Sequence, residues 1–259
     1  MSLEVSEVSK RYGGLQAVNA VDLVALPGEV TSVIGPNGAG KTTLLNIISG
    51  TVVPNHGTTK LFGEDITTIP PHKRARHGLT RTYQTPQLFE DMTVLETVMV
   101  GAHLTGRSSF WSALVRAPFL RQEEAAMEEC ARQALKRVRL SENVFRREAL
   151  VLPYGYQRRV EIARALAMNP RVLLLDEPAA GLNSIETGEI AELICELAAD
   201  GMIIVLVEHD MSMVMEISQK IIVMNFGTKI ADGTPAAIQT NQDVIDAYLG
   251  TPHGEVEHA

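Results

Sequence analysis

One stretch constrains this chain more than any other: Gly35, Pro36, Asn37, Gly38, Ala39, Gly40, Lys41 and Thr42, followed by Thr43. It fits the pattern G-x-x-x-x-G-K-[ST], and it stands in the context that gives the pattern meaning. Glu29 to Ile34 before it reads as a strand, and Thr43 to Ser49 after it as a helix, with Gly50 as the stop. Glycines let backbone wrap closely around an anion with no side chain in the way. Successive N–H groups and the helix N-terminus then converge on phosphate oxygens. Lys41 supplies a point charge for the β and γ phosphates of a nucleotide, and the Thr42 hydroxyl a ligand for Mg²⁺. The competing reading is a chance glycine-rich turn, and the flanking strand and helix weigh against it.

A second element agrees with the first. Val172 to Leu175 reads as a buried strand that ends in Asp176 and Glu177. Carboxylates at that edge of an α/β sheet sit where such proteins bind ligands. Asp176 is placed to hold Mg²⁺ through water, and Glu177 to face the water beyond the γ-phosphate as general base. Alone, the pair would read as a solvated loop opening. His209, just past the strand Met202 to Val207, is placed to touch the γ-phosphate, although a lone histidine there is more often structural.

Around these motifs, strands alternate with helices, which implies a parallel sheet covered on both faces. Residues 157–168 read as a helix and Ile221 to Met224 as a strand. Ile190, Leu193, Ile194 and Leu197 mark one face of another helix, with Asn183 as its cap and Glu186 as the third residue. Leu3 to Val8 and Val18 to Leu26 read as half-buried strands, and turn residues at Asn55 to Gly57 separate further short ones. From Met92 to Leu140 the texture changes. Apolar residues at 127, 131, 134, 135 and 138 share a helical face, and Glu128 with Arg132 forms an i,i+4 pair. Phe110, Trp111, Phe119 and Leu120 add bulk, so this region reads as a small helical lobe with its own core rather than a docking surface.

Composition excludes several classes. With 23 Lys and Arg against 31 Asp and Glu, the net charge of −8 argues against a dedicated nucleic-acid binder. Two cysteines, Cys130 and Cys195, make neither a disulfide scaffold nor a thiolate zinc site, and a reducing compartment is the simpler expectation. The longest apolar run is six residues, Met202 to Val207, where a membrane span needs about 20. The first residues lack a signal-peptide core, and those from about Thr251 read as a frayed tail.

The order of Gly35–Thr42, Gln84, Leu152–Gln157, Asp176 and Glu177, Asn183 and His209 resembles the nucleotide-binding subunits of ABC transporters, from Val5 to Leu249. The resemblance implies an α/β fold: a P-loop NTPase, RecA-like parallel-sheet core with an N-terminal antiparallel β subdomain and a helical lobe. It divides a single domain, 1–259, into a core at 1–85 plus 150–230, a lobe at 86–149 and a C-terminal extension at 231–259. It implies that Tyr12 stacks on adenine, that Gln84 senses Mg²⁺ and γ-phosphate, and that Asn183 contacts an opposite protomer. Metal ligands would be Thr42, Gln84 and Asp176; Lys41, Gln84, Glu177 and His209 would serve hydrolysis.

The signature segment departs from the usual Leu-Ser-Gly-Gly-Gln. It is Leu152, Pro153, Tyr154, Gly155, Tyr156 and Gln157, with no serine hydroxyl and no N–H at Pro153. Gly155 and the following helix still present N–H groups to a partner's phosphate, in trans. The wording of this segment and of Val207 to Met211 resembles one branch, the ATP-binding subunits of branched-chain amino-acid importers; a related group serves urea and short amides. What this implies is an ATPase that binds ATP and Mg²⁺ at a dimer interface. Its partners would be a second ATPase subunit, two transmembrane permeases and, indirectly, a solute-binding protein, at the cytoplasmic face of the inner membrane. Gln84, Phe89 and Met92 are the expected seat of a permease helix. A soluble ABC protein acting on DNA or ribosomes, a kinase or GTPase, and a non-catalytic sensor are the competing classes; no Asn-Lys-x-Asp guanine reader is present.

Overall fold

The glycine loop lies between a strand and a helix, as its sequence context requires, and the rest of the molecule is arranged around that junction. A computed structural model of the protein describes residues 1–103 and 118–249, with side chains described for 1–102 and 122–248. Phe110, Trp111, the side chains of Phe119 and Leu120, and the segment from Thr251 lie outside the described residues.

In chain order the strands are β1 (Leu3–Tyr12), β2 (Leu15–Ala25), β3 (Val30–Ile34), β4 (His56–Leu61), β5 (Glu64–Asp65), β6 (Leu79–Arg81), β7 (Val172–Asp176), β8 (Ile203–Val207), β9 (Lys220–Asn225) and β10 (Thr228–Gly233). The helices are α1 (Lys41–Ser49), α2 (Pro71–Arg76), α3 (Val94–His103), α4 (Pro118–Arg137), α5 (Tyr154–Leu166), α6 (Ser184–Ala199), α7 (Met211–Ile217), α8 (Pro235–Gln239) and α9 (Gln242–Leu249).

Two sheets result. One, in the order β2-β1-β4-β5, is antiparallel. The other runs β10-β9-β3-β8-β7-β6, with parallel pairing from β9 to β6. Its outer strand β10 pairs antiparallel with β9, so the sheet is not wholly parallel. A tight turn at Phe226 and Gly227 makes a hairpin there, where a parallel connection would need a crossover.

Residues alternate between faces, as the pleat demands. Val172 and Leu174 join α1 and the antiparallel sheet in one cluster, while Leu173 and Leu175 join α5 and α6 in another. That second cluster also contains Val94, Val98, Ala131, Leu135 and Val138. The helical lobe therefore does not have its own core, contrary to expectation. Its amphipathic helices α3 and α4 extend the core that covers one face of the parallel sheet, because α3 packs on α5 as well as on α4.

Several boundaries shift for local reasons. The first helix starts at Lys41, two residues before the expected Thr43, because left-handed Gly40 is its cap. The helix expected over 157–168 spans Tyr154–Leu166, since Pro153 ends the extended segment before it and helical geometry begins directly afterwards. Strand β2 reaches back to Leu15, where Gly13 and the turn after Tyr12 close a hairpin. The capping box on α6 forms on both sides: Asn183 accepts from Glu186 N–H at 3.0 Å, and Glu186 accepts from Asn183 N–H at 3.1 Å. Glu128 and Arg132 pair at 2.7 Å.

The far end of α1 is closed by a residue that local pattern does not reveal. Arg74 is fully buried and donates to the carbonyls of Ile47, Ile48, Ile69 and Thr67 at 2.6–2.8 Å. Two of these carbonyls belong to the last turn of α1, where a cation also meets the negative end of the helix dipole. Burial brings the guanidinium down to about 10, so it stays charged at neutral pH.

Candidate active site

The loop from Gly35 to Gly40 is shaped by steric exclusion. Gly35 has φ +148°, and a Cβ there would come 2.1 Å from the Met224 carbonyl oxygen. Gly40 has φ +99°, and its Cβ would come 2.3 Å from the Ala17 oxygen. Only glycine fits both places. The loop is tied inward by Ala39, whose carbonyl accepts Gly227 N–H at 3.0 Å. Lys41 lies largely buried, donating its Nζ to the Gly35 and Pro36 carbonyls at 2.7 and 3.1 Å. Burial lowers its pKa, and the charges of Glu177 and Asp176 pull it back up. The ammonium is thus held at the loop's centre, within the field of the two acids at the end of β7.

A cavity of about 550 Å³ opens over this loop. Its wall brings together Tyr12, residues 37–43, Gln84 and Glu177, which are widely spaced in sequence. Gln84 donates its Nε2 to Glu177 Oε2 at 2.7 Å. Glu177 has φ +49°, a left-handed conformation that costs a non-glycine residue about 1–2 kcal/mol. Its N–H donates to the Val207 carbonyl at 2.8 Å, so the sheet edge holds it there. His209, whose side chain is mostly exposed, places Nδ1 3.8 Å from Glu177 Oε2. Tyr12 is half-exposed at the cavity mouth, beside Phe226.

Gly35, Pro36, Asp176, His209 and Gly155 do not line this cavity. Pro36 lines an adjoining one against the last helix. Asp176 sits behind the wall, paired with Arg81 at 2.7 Å, with both side chains about 5% exposed. Gly155 is buried in the first turn of α5, where a Cβ would come 2.5 Å from Glu186 Oε1.

Four residues that pattern did not single out support the site. Arg81 joins Asp176 to Asn46 Oδ1 of α1 at 2.6 Å. Glu208 is fully buried and accepts Ala179 N–H at 2.8 Å and His209 N–H at 3.0 Å. Burial raises its pKa, and those N–H donors oppose the rise. Arg158 and Glu161 form a buried pair beneath Gln84. Their one sequence signal was a charged residue within or beside a stretch that otherwise reads as interior.

For a metal, the donor set is informative. Among the described residues no three or more His, Cys, Asp or Glu side chains converge. Thr42, Gln84 and Asp176 offer only hard oxygens, and Arg81 engages just one Asp176 oxygen, Oδ2. Few protein oxygens beside a phosphate cradle suit Mg²⁺, which keeps waters and phosphate ligands rather than a full protein cage.

Comparison with known proteins agrees with the geometry. Residues 18–180 match the ABC transporter family, and residues 228–254 match the branched-chain amino acid ATP-binding cassette transporter family. The chain is 47% identical to the high-affinity branched-chain amino acid transport ATP-binding protein BraF of Pseudomonas aeruginosa, over 96% of this chain and 97% of that one. It is 45% identical to LivG of Escherichia coli K12, which carries the same description, with the same coverage. Among solved structures, a nucleotide-free ATP-binding cassette from an ABC transporter superposes with a TM-score of 0.85 at 32% identity, covering 97% of this chain and 100% of that one. A dimeric, post-hydrolysis cassette bound to ADP and Pi superposes with a TM-score of 0.76 at 27% identity, covering 90% and 98%. A glycine cradle, an acidic strand end and a glutamine hydrogen-bonded to the acid therefore come with matching relatives along nearly the whole chain, and the protein belongs to the ABC transporter family as an ATP-binding subunit.

Proposed function

We propose that this subunit hydrolyses Mg-ATP at a dimer interface and couples the cycle to uptake of branched-chain amino acids. The observation that carries the reading is the convergence of Lys41, Thr42, Gln84 and Glu177 on one cavity, with Gln84 hydrogen-bonded to Glu177. Lys41 neutralises the β and γ phosphates cradled by residues 35–43, and Tyr12 stacks on the adenine. Glu177 takes the proton of the attacking water. Its hydrogen bond from Gln84 orients the carboxylate, and His209 lies within reach to contact the γ-phosphate. Thr42, Gln84 and Asp176 would hold Mg²⁺, which supplies charge neutralisation on the phosphates.

Each site is completed in trans. The α5 N-terminus with Gly155 of one subunit faces the nucleotide of the other, and Asn183 lies in the loop that crosses between them. Closure is favoured because the γ-phosphate touches both halves, a contact that ADP lacks. Phe89, 43% exposed, and the neighbouring Gln84 and Met92 form the seat for a permease helix, so the subunit works from the cytoplasmic membrane face. No helix among the described residues is long and apolar enough to cross a membrane. Support for the solute rests on the relatives' names and on the family match at 228–254.

The test is turnover of the subunit reconstituted with its permeases in liposomes. Phosphate release should rise when binding protein loaded with leucine, isoleucine or valine is added. Stimulation by urea or short amides instead would reassign the solute, and a chain that binds ATP without releasing phosphate would overturn the enzymatic reading.

A further inference from the structure

Helix α5 faces two ways. Its first turn holds Gly155, and one turn later Arg158 points into the protein. The Arg158 and Glu161 side chains are each 1% exposed and lie 3.2 Å apart. Arg158 donates to the Tyr83 carbonyl at 2.8 Å, to the Gln84 carbonyl, and to the Glu177 carbonyl at 3.3 Å. Glu161 accepts Tyr83 N–H at 2.9 Å. The pair therefore grips the backbone of both residues whose side chains meet at the cavity.

This grip replaces what the sheet does elsewhere. After β6 ends at Arg81, one further bond, Thr82 N–H to the Leu174 carbonyl at 2.9 Å, keeps the chain on the sheet. No strand or helix then occurs until Val94. A buried ion pair is poor evidence for stability, since well-packed apolar residues often do as well. Its use here is geometric: a guanidinium offers a rigid fork of donors that lysine cannot reproduce. Tyr154 completes the arrangement. The Arg158 guanidinium carbon lies 5.3 Å from its ring centroid, and a Cβ on Gly181 would come 3.3 Å from its Cε1. Tyr154, one of the residues by which the segment departs from the usual signature, thus fills the space between Arg158 and the loop that leads to Asn183.

We propose that Arg158 and Glu161 are positioning residues that set Gln84 and Glu177 for attack by water, from the helix that also faces the partner's nucleotide. The proposal rests on the hydrolytic reading above. The experiment compares Arg158→Lys and Glu161→Gln with the unaltered full chain. It reads ATP affinity by equilibrium binding, then KM and kcat for phosphate release. Arg158→Lys should lower kcat about 100-fold, the scale of a small misplacement of reacting groups. ATP affinity and KM should stay within about twofold, the pattern expected when only the transition state is affected. Glu161→Gln keeps an acceptor for Tyr83 N–H but loses the charge, and should lower kcat about tenfold. If Arg158→Lys does not fold, Glu161→Gln decides. Unchanged kcat, or affinity falling in step with kcat, overturns the proposal. Failure of the hydrolytic reading shows separately, as an unaltered chain that releases no phosphate.

Discussion

The two walls of the nucleotide cavity are built on different principles. The Gly35–Thr43 wall is made by neighbours in sequence. Glycines exclude side chains, a helix begins at once, and Lys41 bonds carbonyls five and six residues away. The Gln84 wall is made by residues far apart in the chain: Arg81 with Asp176, Arg158 with Tyr83 and Gln84, Glu161 with Tyr83. The first holds its shape through backbone sterics, and the second through buried charge. A wall of the second kind can shift with the helices that carry the charges.

Experiments can break this contrast in order of expected effect. Glu177→Gln keeps an acceptor for the Gln84 amide but removes the base. Phosphate release should fall about 10³-fold, within the range for loss of a general base, while ATP still binds and a stable dimer accumulates on size exclusion. Near-normal turnover would remove Glu177 from that role. Arg81→Met should cost about 3 kcal/mol in a denaturant melt, because it leaves the Asp176 carboxylate buried without its cation. Equal cost for Arg81→Met in an Asp176→Asn background would show that the pair is not the cause. Lys41→Ala should weaken ATP binding by about 2 kcal/mol, the value of a charged hydrogen bond, without disturbing the loop that glycines shape. A loss of folding there would mean that Lys41, not sterics, holds the first wall. Asn183→Ala removes the side-chain half of the α6 capping box and should cost the isolated subunit about 1 kcal/mol in a denaturant melt. In a domain this size that lowers Tm by about 2–4 °C.

The same contrast explains what could be read in the sequence. Gly35–Thr43 and the Asn183–Glu186 box were legible because each is complete within a few residues. The strand ending in Asp176 and Glu177 was legible because burial leaves an unbroken apolar run. Gln84 carried no local signal and was reached only through family resemblance. Arg81, Arg158 and Glu161 were missed because the contacts that give them their place, to Asp176, Tyr83 and Gln84, span 74 to 95 residues. A separate core for the lobe was expected because α4 has a clear apolar face, but periodicity does not say against what a face packs. The antiparallel β10 was hidden by an exposed turn, Phe226 and Gly227, that ordinary strand alternation does not mark.

Arg74 has a mechanical consequence for all of this. A fully buried guanidinium bolted to the trailing carbonyls of α1 leaves that helix no room to slide along its axis. The same guanidinium ties that end to the backbone of Thr67 and Ile69 and to α2, which carries Arg74. Whatever the glycine loop takes up at the leading end therefore meets a rod whose far end is fixed.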